Sequence, residues 1–180
     1  MSETKVITGK VRFSYVHLFT PRKNDDGGEP KYEACLIIPK SDTAMVKKLK
    51  RAIEAAKQEG KGKWGGKVPK KLRLPLKDGD EDREDYEEFE DSYYINVRSA
   101  RQPGIIDKDR EEIIDQDEIY SGMFGRASIN FYAYEFNGNK GVSAGLNNVQ
   151  KLADGERLGG SAATAADDFD DDFEDEDDLM

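Results

Sequence analysis

The sequence predicts a mainly β fold, a small antiparallel barrel with one amphipathic helix. Three observations carry that expectation. Apolar residues alternate with period two over residues 5–19 and again over 119–136, the pattern of half-buried strands. A single stretch between Ser41 and Gly60 has the three-and-four spacing of a helix. Turn signals at Asp26-Gly27-Gly28, Pro103-Gly104 and Asn137-Gly138-Asn139 divide the alternating runs into hairpin-sized pieces.

In the first run, Ile7, Val11, Phe13, Tyr15 and Phe19 share one parity, and Thr8, Lys10, Arg12 and Ser14 the other. This predicts one long strand with a basic outer face. After the turn at 26–28, KYEACLII (31–38) makes a second strand, with Tyr32, Leu36 and Ile38 on one side, closing a hairpin with the first. Cys35 reads there as a small buried or half-buried residue, since nothing beside it would activate a thiolate. Pro39 ends the strand, Ser41, Asp42 and Thr43 offer helix N-caps, and Gly60 offers the stop. Between them Val46, Leu49, Ile53 and Ala56 form the apolar stripe, and Lys47, Lys48, Lys50, Arg51 and Lys57 the opposite face, read as solvated or as in direct contact with a ligand.

Residues 61–77, KGKWGGKVPKKLRLPLK, keep no period, because Gly and Pro interrupt them repeatedly. Trp64 stands alone among lysines; such a residue either plugs the edge of a core or offers a stacking surface. Residues 78–91, DGDEDREDYEEFED, are the acidic counterpart. Asp78, Asp80 and Asp82 resemble the opening of a calcium loop, but Arg83 stands where the turn glycine is needed and Phe89 where the closing glutamate is needed. The run is read instead as a solvated loop that repels DNA from the wrong face. In SYYINVRSAR (92–101), a further strand, Tyr93, Ile95 and Val97 oppose Tyr94, Asn96 and Arg98. Ile105-Ile106 and Ile113-Ile114 flank a polar turn, as in a short hairpin or loop excursion. The longest strand signal puts Ala127, Ile129, Phe131 and Ala133 on a core face. Its other face carries Arg126, Ser128, Asn130, Tyr132, Tyr134 and Phe136, either buried under the helix or open for stacking bases. Gly122 and Gly125 predict a bulge near its start, and Lys140 to Leu146 is the return strand.

One cysteine and one histidine exclude a disulfide within the chain, a cysteine-based zinc cluster and a Ser-His-Asp triad as expectations. No signal-peptide apolar region and no run near the roughly 20 residues of a membrane span are present, so a cytoplasmic location is expected. The chain divides into a nucleic-acid-binding domain, 1–152, and a flexible linker with a disordered acidic tail, 153–180. The net charge of −10 hides a segregation: 1–77 carries +11, 78–91 carries −9, and the tail, DDFDDDFEDEDDLM, carries −10. The basic half favours a polyanion ligand. An acidic tail of this kind reads either as a solubility segment or, because its carboxylates repeat as phosphates would with Phe169 and Phe173 where bases would stack, as a mimic of single-stranded nucleic acid.

Five or so strands, one helix and sharp glycine bends make an OB-like barrel the natural candidate. The helix follows the second strand where the usual five-stranded version places it after the third, so either a strand hides in 61–77 or the topology departs. The runs GKVRFSYVHLF, LRLPLKDGD, YSGMFGRASINFYAY and GVSAGLNNVQKLADGERLGG, with the acidic tail, resemble a family of bacteriophage single-stranded-DNA-binding proteins with an OB-fold core. The resemblance implies a non-enzymatic role in phage DNA replication, recombination or repair, and tail contacts with replication or recombination proteins. It departs at the end of the chain: the acidic-plus-terminal-phenylalanine ending is replaced by Leu179-Met180, and the phenylalanines are internal.

The function expected is sequence-tolerant binding of single-stranded DNA, with no catalytic residue, metal or cofactor. Lys10 and Arg12 on the first strand, Trp64, Lys67, Lys70, Lys71 and Arg73 on the basic loop, and Tyr94, Arg98, Arg126, Tyr132 and Tyr134 on later strands would line one groove, cations holding phosphates and aromatics stacking bases. Phe169, Phe173, Leu179 and Met180 would engage a protein partner, and an oligomer stays open. Two alternatives come from other classes: a metal-dependent nuclease using the 78–91 carboxylates, and an acidic chaperone or DNA mimic that binds basic proteins.

Overall fold

A computed structural model describes residues 3–23 and 29–158. In chain order these form β1 (Lys5–Ile7), β2 (Val11–Arg22), β3 (Lys31–Pro39), α1 (Thr43–Glu59), β4 (Lys77–Asp78), β5 (Ser92–Ser99), β6 (Gly104–Ile106), β7 (Phe124–Phe136) and β8 (Asn139–Ala153). β2 pairs antiparallel with β3, β3 with β5, and β7 with β8. β5 meets β8 in parallel at Arg98↔Gly145, and β7 returns to β2 at Val11↔Gly125 and Arg12↔Phe124. These five strands close a ring, the mainly β, OB-like barrel that the alternation predicts. β1 extends the barrel along β7, and β6 runs parallel to β8. The topology does depart: α1 lies between the second and third barrel strands, and 61–77 supplies no barrel strand, only the first residue of β4 at its end.

The first alternating run is two strands rather than one. Val6 is buried and Ile7 is 46% exposed, the reverse of the expected parity, because β1 pairs with β7 independently of β2. Thr8 is fully buried, its hydroxyl accepting from the Ala127 amide at 2.9 Å. A second slip occurs at Tyr15, whose φ of 47° places an extra residue in the strand and shifts its register against β3. Leu18, not Phe19, therefore follows Phe13 into the core.

α1 begins where expected: the Asp42 side chain accepts from the Met45 amide at 3.2 Å. Gly60 does not stop the chain with a left-handed cap; its φ is −83°, and the helix runs on into a 3-10 turn, Gly60–Trp64, ended by Gly65 at φ 78°. Gly60 is needed for close approach, since a Cβ there would strike the side chain of Ala133. Met45, Val46, Leu49, Ala52, Ile53 and Ala56 join Phe13, Leu36, Ile38, Ile95, Ile129 and Phe131 in one core.

A second, smaller cluster sits outside the barrel wall: Cys35, Ile37, Phe89 and Tyr94. This changes the reading of the acidic segment. Most of its carboxylates face solvent, but Phe89 is fully buried and pins the segment onto β3 and β5. Phe89 meets Tyr94 edge-on at 5.3 Å, and the Arg83 guanidinium lies 5.4 Å from the Tyr94 ring. Lys40 clamps the near end, 2.8 Å from both Asp78 and Asp80.

The packed chain also continues past the boundary expected at 152. The Leu158 amide donates to the Ser121 carbonyl at 3.0 Å, and Arg12 reaches the Glu156 carbonyl at 2.7 Å. The acidic tail with Phe169, Phe173, Leu179 and Met180 lies outside the described residues. Among those residues, no helix is long and apolar enough to cross a membrane.

Candidate nucleic-acid interface

Strand alternation sends Tyr94, Asn96 and Arg98 to the outer face of β5. The chain immediately before the acidic segment decides what that face becomes. Residues 72–77 are laid as a strap over β8: the Arg73 amide donates to the Lys140 carbonyl at 3.0 Å, and the Arg73 carbonyl accepts from the Val142 amide at 2.9 Å. Pro75 is buried, and Leu72 and Leu76 pack on the core. Pro75 and Leu76 set φ and burial; the flanking Arg73 and Lys77 are left in solvent. Strap, β5 and the β7–β8 hairpin enclose a groove of about 270 Å³ lined by Arg73, Leu74, Lys77, Asn96, Arg98, Tyr134 and Ser143.

Its charge is positive and partly oriented. Arg98 Nε lies 3.7 Å from Glu33 Oε1, and Arg22 Nη1 lies 3.0 Å from Glu33 Oε2. One carboxylate between two guanidinium groups leaves a net positive charge while restraining Arg98, whose side chain stays 53% exposed. Beside the groove, Tyr132 and Phe136 stand on the same face of β7 as Tyr134, 45% and 70% exposed. This face is open, not roofed by α1, which approaches β7 on the Ala133 side. Cations, an amide, a hydroxyl and exposed rings suit a phosphate backbone with unpaired bases. Asp78 and Asp80, the calcium-loop look-alikes, share the Lys40 ammonium, whose hydrogen bonds hold both carboxyls below their usual range. Among the described residues no group of three or more His, Cys, Asp or Glu is arranged to hold a metal.

The residues expected to share one groove are divided. Arg73, Arg98 and Tyr134 line it, Tyr132 adjoins it, and Lys67, Lys70 and Lys71 are exposed on the loop that leads into the strap. Trp64 is not a free stacking platform. It is 6% exposed: the 3-10 turn Gly60–Trp64 lies against β7 at Ala133, and the indole N–H donates to the Tyr134 carbonyl at 3.1 Å. It serves the site indirectly, by fixing the backbone beneath Tyr134. Tyr94 is likewise withdrawn, 3% exposed beneath Phe89, with its hydroxyl donating to Asp82 at 3.1 Å. Arg12 is a staple for the chain beyond β8, donating to the Gly122 and Glu156 carbonyls; with Lys10 it lies over the Phe124 ring. Arg126 donates to the Thr8 carbonyl at 3.2 Å, on a separate hollow with Ile7, Ile106 and Gln150. Lys77, Asn96 and Ser143 are the polar lining residues that sequence reasoning did not select, beside the apolar Leu74, Pro75 and Val142. The shared parity of Asn96 and Arg98 was the available signal; Ser143 offered none before its partner Tyr132 was known.

The family model described as "Enterobacter phage Enc34, ssDNA-binding protein" matches residues 4–180. The chain is 33% identical over 177 residues to "Putative protein p50" of Acyrthosiphon pisum secondary endosymbiont phage 1, covering 93% of each. It is similar to the solved single-stranded DNA-binding protein from bacteriophage Enc34 in complex with ssDNA, with 32% identity, a TM-score of 0.78, and coverage of 87% of this chain and 90% of that one. gp2.5, a single-stranded DNA binding protein encoded by bacteriophage T7, shares the fold at 14% identity, with a TM-score of 0.62 over 93% of this chain and 96% of that one. The chain belongs to the Enterobacter phage Enc34 ssDNA-binding protein family.

Proposed function

We propose that this protein binds single-stranded DNA without catalysis and largely without regard to sequence, in phage DNA replication, recombination or repair in the host cytoplasm. The observation that carries the reading is the groove beneath the 72–77 strap, where Arg73, Lys77 and Arg98 surround an open aromatic face at Tyr134. The cations would hold phosphates, and Tyr132 and Tyr134 would take unpaired bases at about 1–3 kcal/mol each. No residue in the groove pairs a nucleophile with a base, and of the 78–91 carboxylates Asp78 and Asp80 are held by Lys40 while most of the others stand apart in solvent, which leaves the nuclease alternative unsupported. The tail, with Phe169, Phe173, Leu179 and Met180, would serve as a hook for a replication or recombination protein and as a competitor for the groove.

Titration of labelled oligonucleotide in single- and double-stranded form, over a range of salt, tests the reading. Tight binding to the single strand is expected, with log affinity falling linearly in log salt by about 0.7 per phosphate neutralised. Removing residues 167–180 is expected to tighten that binding at low salt, and added tail peptide to reverse the gain. A response to the single strand that is flat in salt would overturn the assignment.

A further inference from the structure

A glycine inside a strand weakens it and so calls for a reason: a positive φ, a close backbone approach, or a ligand. In the β7–β8 hairpin the reasons differ from glycine to glycine. Gly138 sits in the turn at φ 82°, and a Cβ on Gly141 would collide with the strap at Arg73. Gly145 fits neither case. Its φ lies outside the left-handed region, and a Cβ built on it would meet Tyr132 Cε1 at 3.6 Å, the Asn130 carbonyl at 3.7 Å and the Arg98 carbonyl at 3.9 Å, all ordinary van der Waals contacts. The fold would accept a side chain there. Ala144 and Leu146 point into the core, so that side chain would stand on the outer face, between Tyr132 and Arg98.

We propose that Gly145 is left bare for the ligand: its backbone floors a bay between Tyr132 and Arg98 that admits one unpaired base to stack on the Tyr132 ring while Arg98 holds the adjoining phosphate. The inference rests on single-stranded DNA as the ligand and names a residue that sets its form. Any base can enter, since every base has a π face. A base within a duplex cannot, because both its faces are already covered by its neighbours. Gly145 is thus a positioning residue for selection of unpaired strands.

Gly145→Leu tests it, with Gly145→Ala as the milder variant. Affinity for an oligothymidine is expected to fall in Gly145→Leu by roughly the worth of one stacked base, about 5- to 150-fold. Gly145→Ala is expected to fall less, and the thermal midpoint of Gly145→Ala to stay level or rise. In a Tyr132→Ala background Gly145→Leu should add almost nothing, because the stack it blocks is already gone. An oligonucleotide abasic throughout should bind the wild type and Gly145→Ala alike, a readout that survives if Gly145→Leu fails to fold. Equal loss in both backgrounds, wild-type affinity in Gly145→Leu, or discrimination between the two proteins by the abasic strand would each overturn the inference. Should Arg98→Ala still weaken binding in that event, the DNA-binding reading stands and only the role of Gly145 falls.

Discussion

Tyr94 and Arg98 point to the same side of β5 and live in opposite surroundings. Tyr94 lies beneath Phe89 and the acidic segment, 3% exposed, while Arg98 looks into the groove with half its side chain in solvent. The border between the two regions falls at β4, where Lys77 pairs with Tyr94 and Asp78 with Tyr93. N-terminal to that border the crossing chain is basic and lies beside the strand face; C-terminal to it the chain is acidic and covers the face. A single sheet surface is thus closed in one half and open in the other by two consecutive straps of opposite charge. Strand alternation decides which side a residue faces; the straps decide whether that side is wet.

The largest break in this comparison should come from the closed half. Phe89→Ala removes a fully buried ring and is expected to cost about 3–5 kcal/mol in denaturant unfolding. It should also expose Cys35, whose thiol burial pushes up to about 12, so that alkylation at mildly alkaline pH accelerates. Unchanged alkylation in the folded variant would mean that Phe89 is not what shields the thiol. The open half should behave in reverse. Arg98→Ala is expected to leave stability within about 0.5 kcal/mol, as at other exposed sites, while reducing the salt slope of single-strand binding by about 0.7. A stability loss comparable with that of Phe89→Ala would make Arg98 a structural residue of the Glu33 ion pair instead.

The smallest effect belongs to the border itself. Lys40 hydrogen-bonds Asp78 and Asp80 and lowers both carboxyl pKa values. A lowered folded-state pKa contributes stability above the unfolded value, near 3.9 for Asp, and loses it as pH falls through the folded values. The wild type should therefore show a drop in melting temperature below about pH 4 that is shallower in Lys40→Met. An identical acid response in the two proteins would show that the clamp does not contribute in solution.

Much of this was legible in the sequence because it is local. α1 declared itself through its spacing and Asp42, and the Asn137-Gly138 turn through residues that tolerate its φ of 50° and 82°. The core faces of β5 and β7 followed from parity alone. Of the site, Arg73, Arg98 and Tyr134 were named because charge and parity mark an outer face. What escaped was tertiary. Parity cannot distinguish an outer face in water from one under a second layer, which is why Tyr94 was placed in the groove. Trp64 could be read either way from the sequence, because its burial depends on the 3-10 turn Gly60–Trp64 continuing α1 onto β7. Phe89 was masked by its acidic neighbours, and the bulge at Tyr15 has no marker, since a tyrosine seldom adopts a positive φ.

The ring of strands closes unevenly. β7 and β8 are paired along the whole hairpin, from Phe124↔Ala153 to Phe136↔Asn139, whereas β5 and β8 are joined at Arg98↔Gly145 alone. That seam has the fewest paired residues in the wall, the feature that lowers the cost of local opening. It also runs through the bay between Arg98 and Tyr132. A DNA strand lying there would splint the seam from outside, adding the rungs that the backbone lacks. Occupancy and stiffness would rise together: the empty barrel would breathe along this line, and the loaded one would hold its shape.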